Sequence, residues 1–338
     1  MSGPDIESDG RGAMMVSQSV FDVRPMKVGA EIVNLSLSDI DRADVRDALY
    51  RAWMDHGLLL FRFPGITNAQ HLELSRVFGE LERHPVPEIW AKDEPLLIEL
   101  GGDKRGPAYM FDDEPEVSIG RLPWHRDTAY TKDICKGAML RMVDVAESGG
   151  QTLFADSAKA YDLLSPEMQR RLEGLEYKAT LRVGPFEQTR PGALWKAVRA
   201  ATAEENPGGK LSENVTPEIK ARYPSVVHPV IVTHPESGRN CLSPSPTYVD
   251  HFLGLSQADS DALLGELAAA VTRPEVTYAH DWQVDDLLLW DNRRMLHAAA
   301  GYPPRCSRKG LRTTLAGSMR TGRMFDETAA EDWPVMAD

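Results

Sequence analysis

Trp124-His125-Arg126-Asp127 sets an imidazole and a carboxylate two positions apart. On a strand, residues i and i+2 share a face, so His125 and Asp127 would converge there while Arg126 turns away. A histidine from elsewhere in the chain would complete a site of two imidazoles and one carboxylate. That donor set suits Fe(II) and leaves neighbouring coordination positions open. With a single carboxylate, the ferrous ion keeps residual positive charge, which favours an anionic chelating cosubstrate. The same donors bind catalytic zinc, so a zinc-dependent hydrolase is one rival reading. A binding protein that keeps the fold without turnover is another.

Downstream, Trp290-Asp291-Asn292-Arg293-Arg294-Met295-Leu296-His297 ends in such a histidine, followed by Gly301-Tyr302-Pro303, Arg308 and Arg312. The two arginines are four positions apart. They would be neighbours on a helix and would share a face on a strand; either arrangement gathers positive charge around one pocket. Arg312 sits in the strand-like run Leu311 to Leu315, where an arginine beside apolar neighbours needs a partner. Arg308, in Arg305-Cys306-Ser307-Arg308-Lys309, reads by itself as a solvated residue.

The elements that position these groups read as one β-rich body. Strands are expected at 29–35, 58–63, 96–100, 138–145, 151–154, 226–232 and 240–242, with dense strand signals over 276–318. Helices are expected over 44–54, from 68 to 78 with Asn68 as N-cap, from Ser157, and over 257–271. Residues 83–123 read as mostly loop around one strand, and 184–224 as irregular. The pattern suits a sandwich or barrel of antiparallel strands flanked by helices. Lys plus Arg is 38 against 51 Asp plus Glu, a net charge of −13, which disfavours nucleic acid and anionic membrane surfaces as partners. Cys135, Cys241 and Cys306 suit free thiols in a reducing cytoplasm rather than a disulfide framework. No apolar run approaches the roughly 20 residues of a membrane helix, and the acidic N-terminus lacks signal-peptide order.

In order along the chain, several segments resemble the TauD/TfdA family of Fe(II)/2-oxoglutarate-dependent dioxygenases. They are Val28-Gly29-Ala30-Glu31-Ile32, His56 to Arg62, Phe78-Gly79-Glu80-Leu81 with His84-Pro85, the His125-x-Asp127 motif, Gly149 to Asp156, Ala160 to Ser165, and Trp290 to Arg312. The resemblance implies an α+β, mainly β fold, a double-stranded β-helix (jelly-roll, cupin-like) flanked by helices. A single domain is expected over 19–325 with a C-terminal tail over 326–338; residues 1–18, rich in Gly, Ser and Asp, read as a disordered tail, and 87–121 and 184–222, which match no family segment, read as inserts that act as lids. The resemblance makes His125, Asp127 and His297 the catalytic iron ligands, with His280 the first alternative for the third. Thr152 and Arg308 would bind 2-oxoglutarate, and Arg312 the cosubstrate or the substrate. His84 is a substrate-contact candidate, although its 41-residue distance from His125 is longer than in taurine dioxygenase. Arg126 stands where many relatives carry Thr or Ser, and it would brace the ligand strand. The implied activity uses Fe(II), 2-oxoglutarate and dioxygen to hydroxylate an unactivated C–H bond of a small anionic molecule, with C–O, C–S or C–N cleavage where the oxidised carbon bears a heteroatom. A larger natural-product or amino-acid-derived substrate is the alternative. The resemblance also implies a homo-oligomer, a dimer or tetramer.

Overall fold

The structure, a computed structural model, describes residues 20–84, 87–102, 106–182, 184–188, 190–191, 194–209, 217–317 and 319–329. The tail expected over 1–18, and residues 330–338 of the one expected over 326–338, lie outside the described residues.

Two sheets face each other. The major sheet runs in the order Asp22–Pro25, Ala30–Val33, Leu58–Arg62, Asp286–Asp291, Gly137–Asp144, Lys309–Leu315, Glu94–Gly101 and Trp90–Ala91, with Leu81–Glu82 also paired to Lys309–Leu315. Only Ala30–Val33 and Leu58–Arg62 pair in parallel; the other pairings are antiparallel. The minor sheet is antiparallel throughout, in the order Thr277–His280, Thr152–Asp156, Met295–Ala299 and Leu122–His125. This is the expected jelly roll.

Sequence patterning explains the layers. Strands buried on both faces read as continuous apolar runs, as at Leu58-Leu59-Leu60-Phe61 and Leu287-Leu288-Leu289-Trp290. Leu58, Leu60, Leu288 and Trp290 turn inward and meet Phe154 and Met295 of the minor sheet. Leu59, Phe61, Leu287 and Leu289 turn outward onto Leu49 and Trp53 of the helix Ala43–His56 and Leu74 of the helix Asn68–Arg76. Outside the minor sheet, Leu296 and Ala298 pack with Tyr177 and Phe252 of a third sheet and with the helix Gln257–Val271.

Three expectations are corrected. Thr67, not Asn68, caps the second helix: its hydroxyl accepts from the Gln70 N–H (3.2 Å) while the Gln70 side chain accepts from the Thr67 N–H (3.0 Å). That helix ends at Arg76 rather than Phe78. The segment 83–123 holds several strands, among them Glu94–Gly101, inserted beside Lys309–Leu315, and Ala108–Phe111, which pairs with Ser118–Ile119 and with Ala197–Ala200 of the second insert. Among the described residues no helix is long and apolar enough to cross a membrane.

Candidate active site

Sheet register brings the two histidines together. His125 ends the edge strand of the minor sheet and pairs with His297 on the adjacent strand, so their ring centroids stand 4.2 Å apart. Asp127 arrives by another route than expected. The strand stops at His125, and the chain turns through Thr128, whose φ of 56° is left-handed. The carboxylate therefore reaches the imidazoles around a bend, not along a pleat. Asn292 pins this bend: its Oδ1 accepts from the Asp127 N–H (2.9 Å), and its Nδ2 donates to the Asp127 carbonyl (2.9 Å) and the Cys135 carbonyl (3.1 Å). The Thr128 hydroxyl accepts from the Cys135 N–H at 2.9 Å, which helps hold the strained residue. Arg126 is buried and turned away, donating to the Ser243 carbonyl (2.8 Å), the Leu242 carbonyl (2.6 Å) and Ser157 Oγ (2.6 Å).

Donor atoms of His125, Asp127 and His297 all lie within 4.8 Å of one another; among the described residues no other group of three His, Cys, Asp or Glu does this. The Pro123 carbonyl accepts from His125 Nδ1 at 2.8 Å, which fixes the tautomer and bares the Nε2 lone pair. Burial lowers the pKa of both imidazoles and keeps them neutral, as metal ligands must be. Burial alone would raise the Asp127 carboxyl, but the Arg312 guanidinium outweighs it and holds the group at about 2. Arg312 grips both carboxylate oxygens (3.1 and 2.7 Å) and stands over the Trp290 ring at 5.3 Å. Two neutral imidazoles beside an ionised carboxylate fit one divalent cation.

His125, His297, Arg312 and Trp290 line a cavity of about 280 Å³, walled largely by apolar side chains such as Leu100, Ile119, Leu122 and Leu140. Thr152 and Arg308 line it too. Thr152 pairs with Ala299, one pleat from the Phe154–His297 pair, so it shares the inner face with them. Its hydroxyl accepts from the Trp282 indole N–H at 3.1 Å, leaving its own proton to donate. Arg308 donates through Nε to the Gly150 carbonyl (3.2 Å) and forms no ion pair among the described residues. Burial lowers its pKa to about 10.

Two candidates lie elsewhere. The His84 carbonyl accepts from the Trp90 indole N–H at 2.8 Å, and the residue is not part of the cavity lining; residues 85 and 86 lie outside the described residues. His280 is buried between Asp286 (3.0 Å) and the Tyr278 hydroxyl (2.8 Å), away from the cluster. All three cysteines are free and buried. Asn292, Trp282 and Trp290 were not singled out from the sequence; the only available signal was their position just upstream of His297.

The sequence profile of the "Taurine catabolism dioxygenase TauD, TfdA family" matches residues 20–314. The chain belongs to that family. It is 31% identical over 283 residues to the (S)-phenoxypropionate/alpha-ketoglutarate-dioxygenase of Sphingobium herbicidovorans, covering 82% of this chain and 89% of that one. It is 30% identical over 317 residues to an alpha-ketoglutarate-dependent sulfate ester dioxygenase of Pseudomonas putida, covering 89% and 91%. The fold also matches the crystal structure of AAD-2 in complex with Mn(II) and N-oxalylglycine, with a TM-score of 0.65 and 22% identity over 89% of this chain and 99% of that one. This TauD/TfdA dioxygenase is an oxidoreductase that uses Fe(II), 2-oxoglutarate and dioxygen.

Proposed function

We propose that His125, Asp127 and His297 hold the iron, that Arg308 and Thr152 hold the far carboxylate of 2-oxoglutarate, and that the enzyme hydroxylates an unactivated C–H bond of a small organic anion. When bound, iron and cosubstrate supply the oxidation: 2-oxoglutarate, dioxygen and the substrate C–H become succinate, carbon dioxide and a C–OH group. Where that carbon bears oxygen, sulfur or nitrogen, the hydroxylated product collapses and the bond to the heteroatom breaks.

The observation that carries this reading is Arg308. A half-buried guanidinium with no acidic partner among the described residues is costly, and this one lines the same cavity as His125 and His297. A planar fork of two terminal nitrogens that make no hydrogen bond among the described residues suits a carboxylate, and the Thr152 proton adds a third donor. Arg312 is engaged by Asp127; a cation on Asp127 would release the guanidinium for an anionic group of the substrate or of the cosubstrate. The apolar walls support a substrate with an apolar body and one anionic group. The phenoxypropionate and sulfate-ester enzymes among the relatives support the same class.

Residues 19–325 serve in this reading as one domain. Ile89, Pro107 and Ile119 of the first insert line the cavity and act as its lid, buttressed by Ala197–Ala200 of the second. The net charge of −13 supports a small-molecule partner rather than nucleic acid or membrane, and three buried thiols support a cytoplasmic enzyme. The dimer or tetramer implied by the resemblance belongs to the same proposal, and sedimentation tests it.

The decisive experiment screens aryloxyalkanoates, sulfonates and alkyl sulfates with anaerobically iron-loaded protein, then admits oxygen and measures succinate. At least one class should trigger succinate release that depends on added 2-oxoglutarate. Turnover without 2-oxoglutarate, on zinc alone, would establish the hydrolase instead.

A further inference from the structure

Thr152 and Arg308 are themselves held from behind. The Trp282 indole N–H donates to Thr152 Oγ1 (3.1 Å), and the Gly150 carbonyl accepts from Arg308 Nε (3.2 Å). Trp282 is buried, with the His280 ring edge-on to it at 4.6 Å. His280 is fixed in turn by the buried Asp286 at 3.0 Å. Behind this group lies a second cavity of about 200 Å³, bordered by Trp282, Arg308, Gly150, Gln151, Glu147 and Asp281. Gly150, Gln151 and Arg308 border both cavities. Trp282 borders the rear cavity and, through its N–H, holds a residue of the front one, so its indole belongs to the wall between them.

We propose that Trp282 is a positioning residue that sets the length of the 2-oxo dicarboxylate this enzyme accepts. The inference rests on the reading that Arg308 and Thr152 hold the far carboxylate of the cosubstrate. By donating to Thr152, the indole leaves the hydroxyl proton for that carboxylate. By closing the space behind Arg308, the ring denies room to a cosubstrate one methylene longer. Glu147 and Asp281 repel an anion from the rear cavity, so a displaced carboxylate would stay on Arg308, which already borders both spaces. Removing the ring merges the cavities and relaxes the length limit.

Anaerobic calorimetry on the Fe(II)-loaded enzyme, titrating 2-oxoglutarate and then 2-oxoadipate, tests this. The native enzyme should prefer 2-oxoglutarate by roughly 10–200-fold, the range one methylene commands in a fitted pocket. Trp282→Phe keeps a ring without the N–H, so 2-oxoglutarate should bind roughly three- to tenfold more weakly with the preference retained. Trp282→Ala should erase most of the preference. If circular dichroism shows that Trp282→Ala does not fold, Trp282→Leu, which removes most of the ring system while keeping an apolar contact, makes the same test. An unchanged preference in the folded small-side-chain variant, or equal binding of the two acids by the native enzyme, overturns the proposal. Arg308→Ala separates it from its parent: native 2-oxoglutarate affinity there sinks the cosubstrate reading itself. Lost affinity there, alongside an unchanged preference in the Trp282 variants, sinks only the role of Trp282.

Discussion

Two groups of residues line the same cavity and are built in opposite ways. Around His297 the charges balance internally: Arg312 neutralises Asp127, and Asn292 satisfies the Asp127 backbone. Around Arg308 they do not: the guanidinium has one carbonyl acceptor and no acidic partner among the described residues. Charge left unbalanced on a buried group costs stability unless a ligand supplies the missing charge. The first group is therefore balanced in charge until a metal competes for it, whereas the second is balanced only when an anion arrives.

The strongest way to break this contrast is His297→Ala. One of three donors is lost, so iron uptake and turnover should both be abolished, read as metal content after anaerobic loading and as succinate formation. An iron-loaded, active variant would move the third ligand elsewhere and leave the first group without its centre.

Next in size is a pair of substitutions expected to act with opposite sign. Arg312→Met strands a largely buried carboxylate, which costs up to about 3 kcal/mol, the low end for a fully buried pair, so the melting temperature of the ligand-free protein should fall. Arg308→Met removes a half-buried cation that no carboxylate among the described residues balances, so the ligand-free protein should hold or gain stability. The same change should weaken 2-oxoglutarate binding roughly a hundredfold or more, because each hydrogen bond to a charged group contributes about 1.5–3 kcal/mol. Two melts of the same sign would show that the contrast is not real.

How far the sequence carried this site follows from the distance over which each feature is decided. His125, Asp127 and His297 were legible because their chemistry and order suffice; Arg126 is turned away as expected, but by the bend after His125 and not by the pleat alternation that suggested it. The reason given for Asp127 was incomplete: a left-handed Thr128 cannot be read from residue type. Asn292 and Trp282 were invisible because their partners, Asp127 and Thr152, lie 165 and 130 positions away. The strands of 83–123 were missed for a similar reason. They are short, broken by Gly and Pro, and Ala108–Phe111 takes one partner from Ala197–Ala200. Thr67 and Asn68 are both good caps, and Gln70, three residues after Thr67, decided between them.

A smaller effect asks whether the asymmetry is local. His71, under Met139 of the major sheet, and His228, on the third sheet, lie outside the cavity; burial lowers them to about 3 and about 4. A base depressed in the folded state is protonated first in the unfolded chain, so its contribution is full above about pH 6.5 and is lost as pH falls toward the folded value. Near pH 5 each should cost about 2 kcal/mol relative to neutral pH. Melting the metal-free protein across this window should show the loss, and His71→Gln should remove its share. A loss that vanishes on metal loading instead would assign the acid sensitivity to His125 and His297.

The finest discrimination comes from Asn292, which touches only the first group. Asn292→Ala removes the acceptor of the Asp127 N–H and the donor to the Asp127 carbonyl, freeing the bend at Thr128 without deleting a ligand. Partners that orient a metal ligand are typically worth about 10–100-fold in metal affinity, and because no ligand is deleted the lower figure, about tenfold, is expected. Chelator competition measures it. At saturating metal the 2-oxoglutarate affinity should stay at the native value, because Arg308 and Thr152 hang from Gly150 and Trp282 rather than from Asn292. If both affinities fall together, the two groups form one mechanical unit, and the separation of metal side from anion side gives way to a single cooperative site.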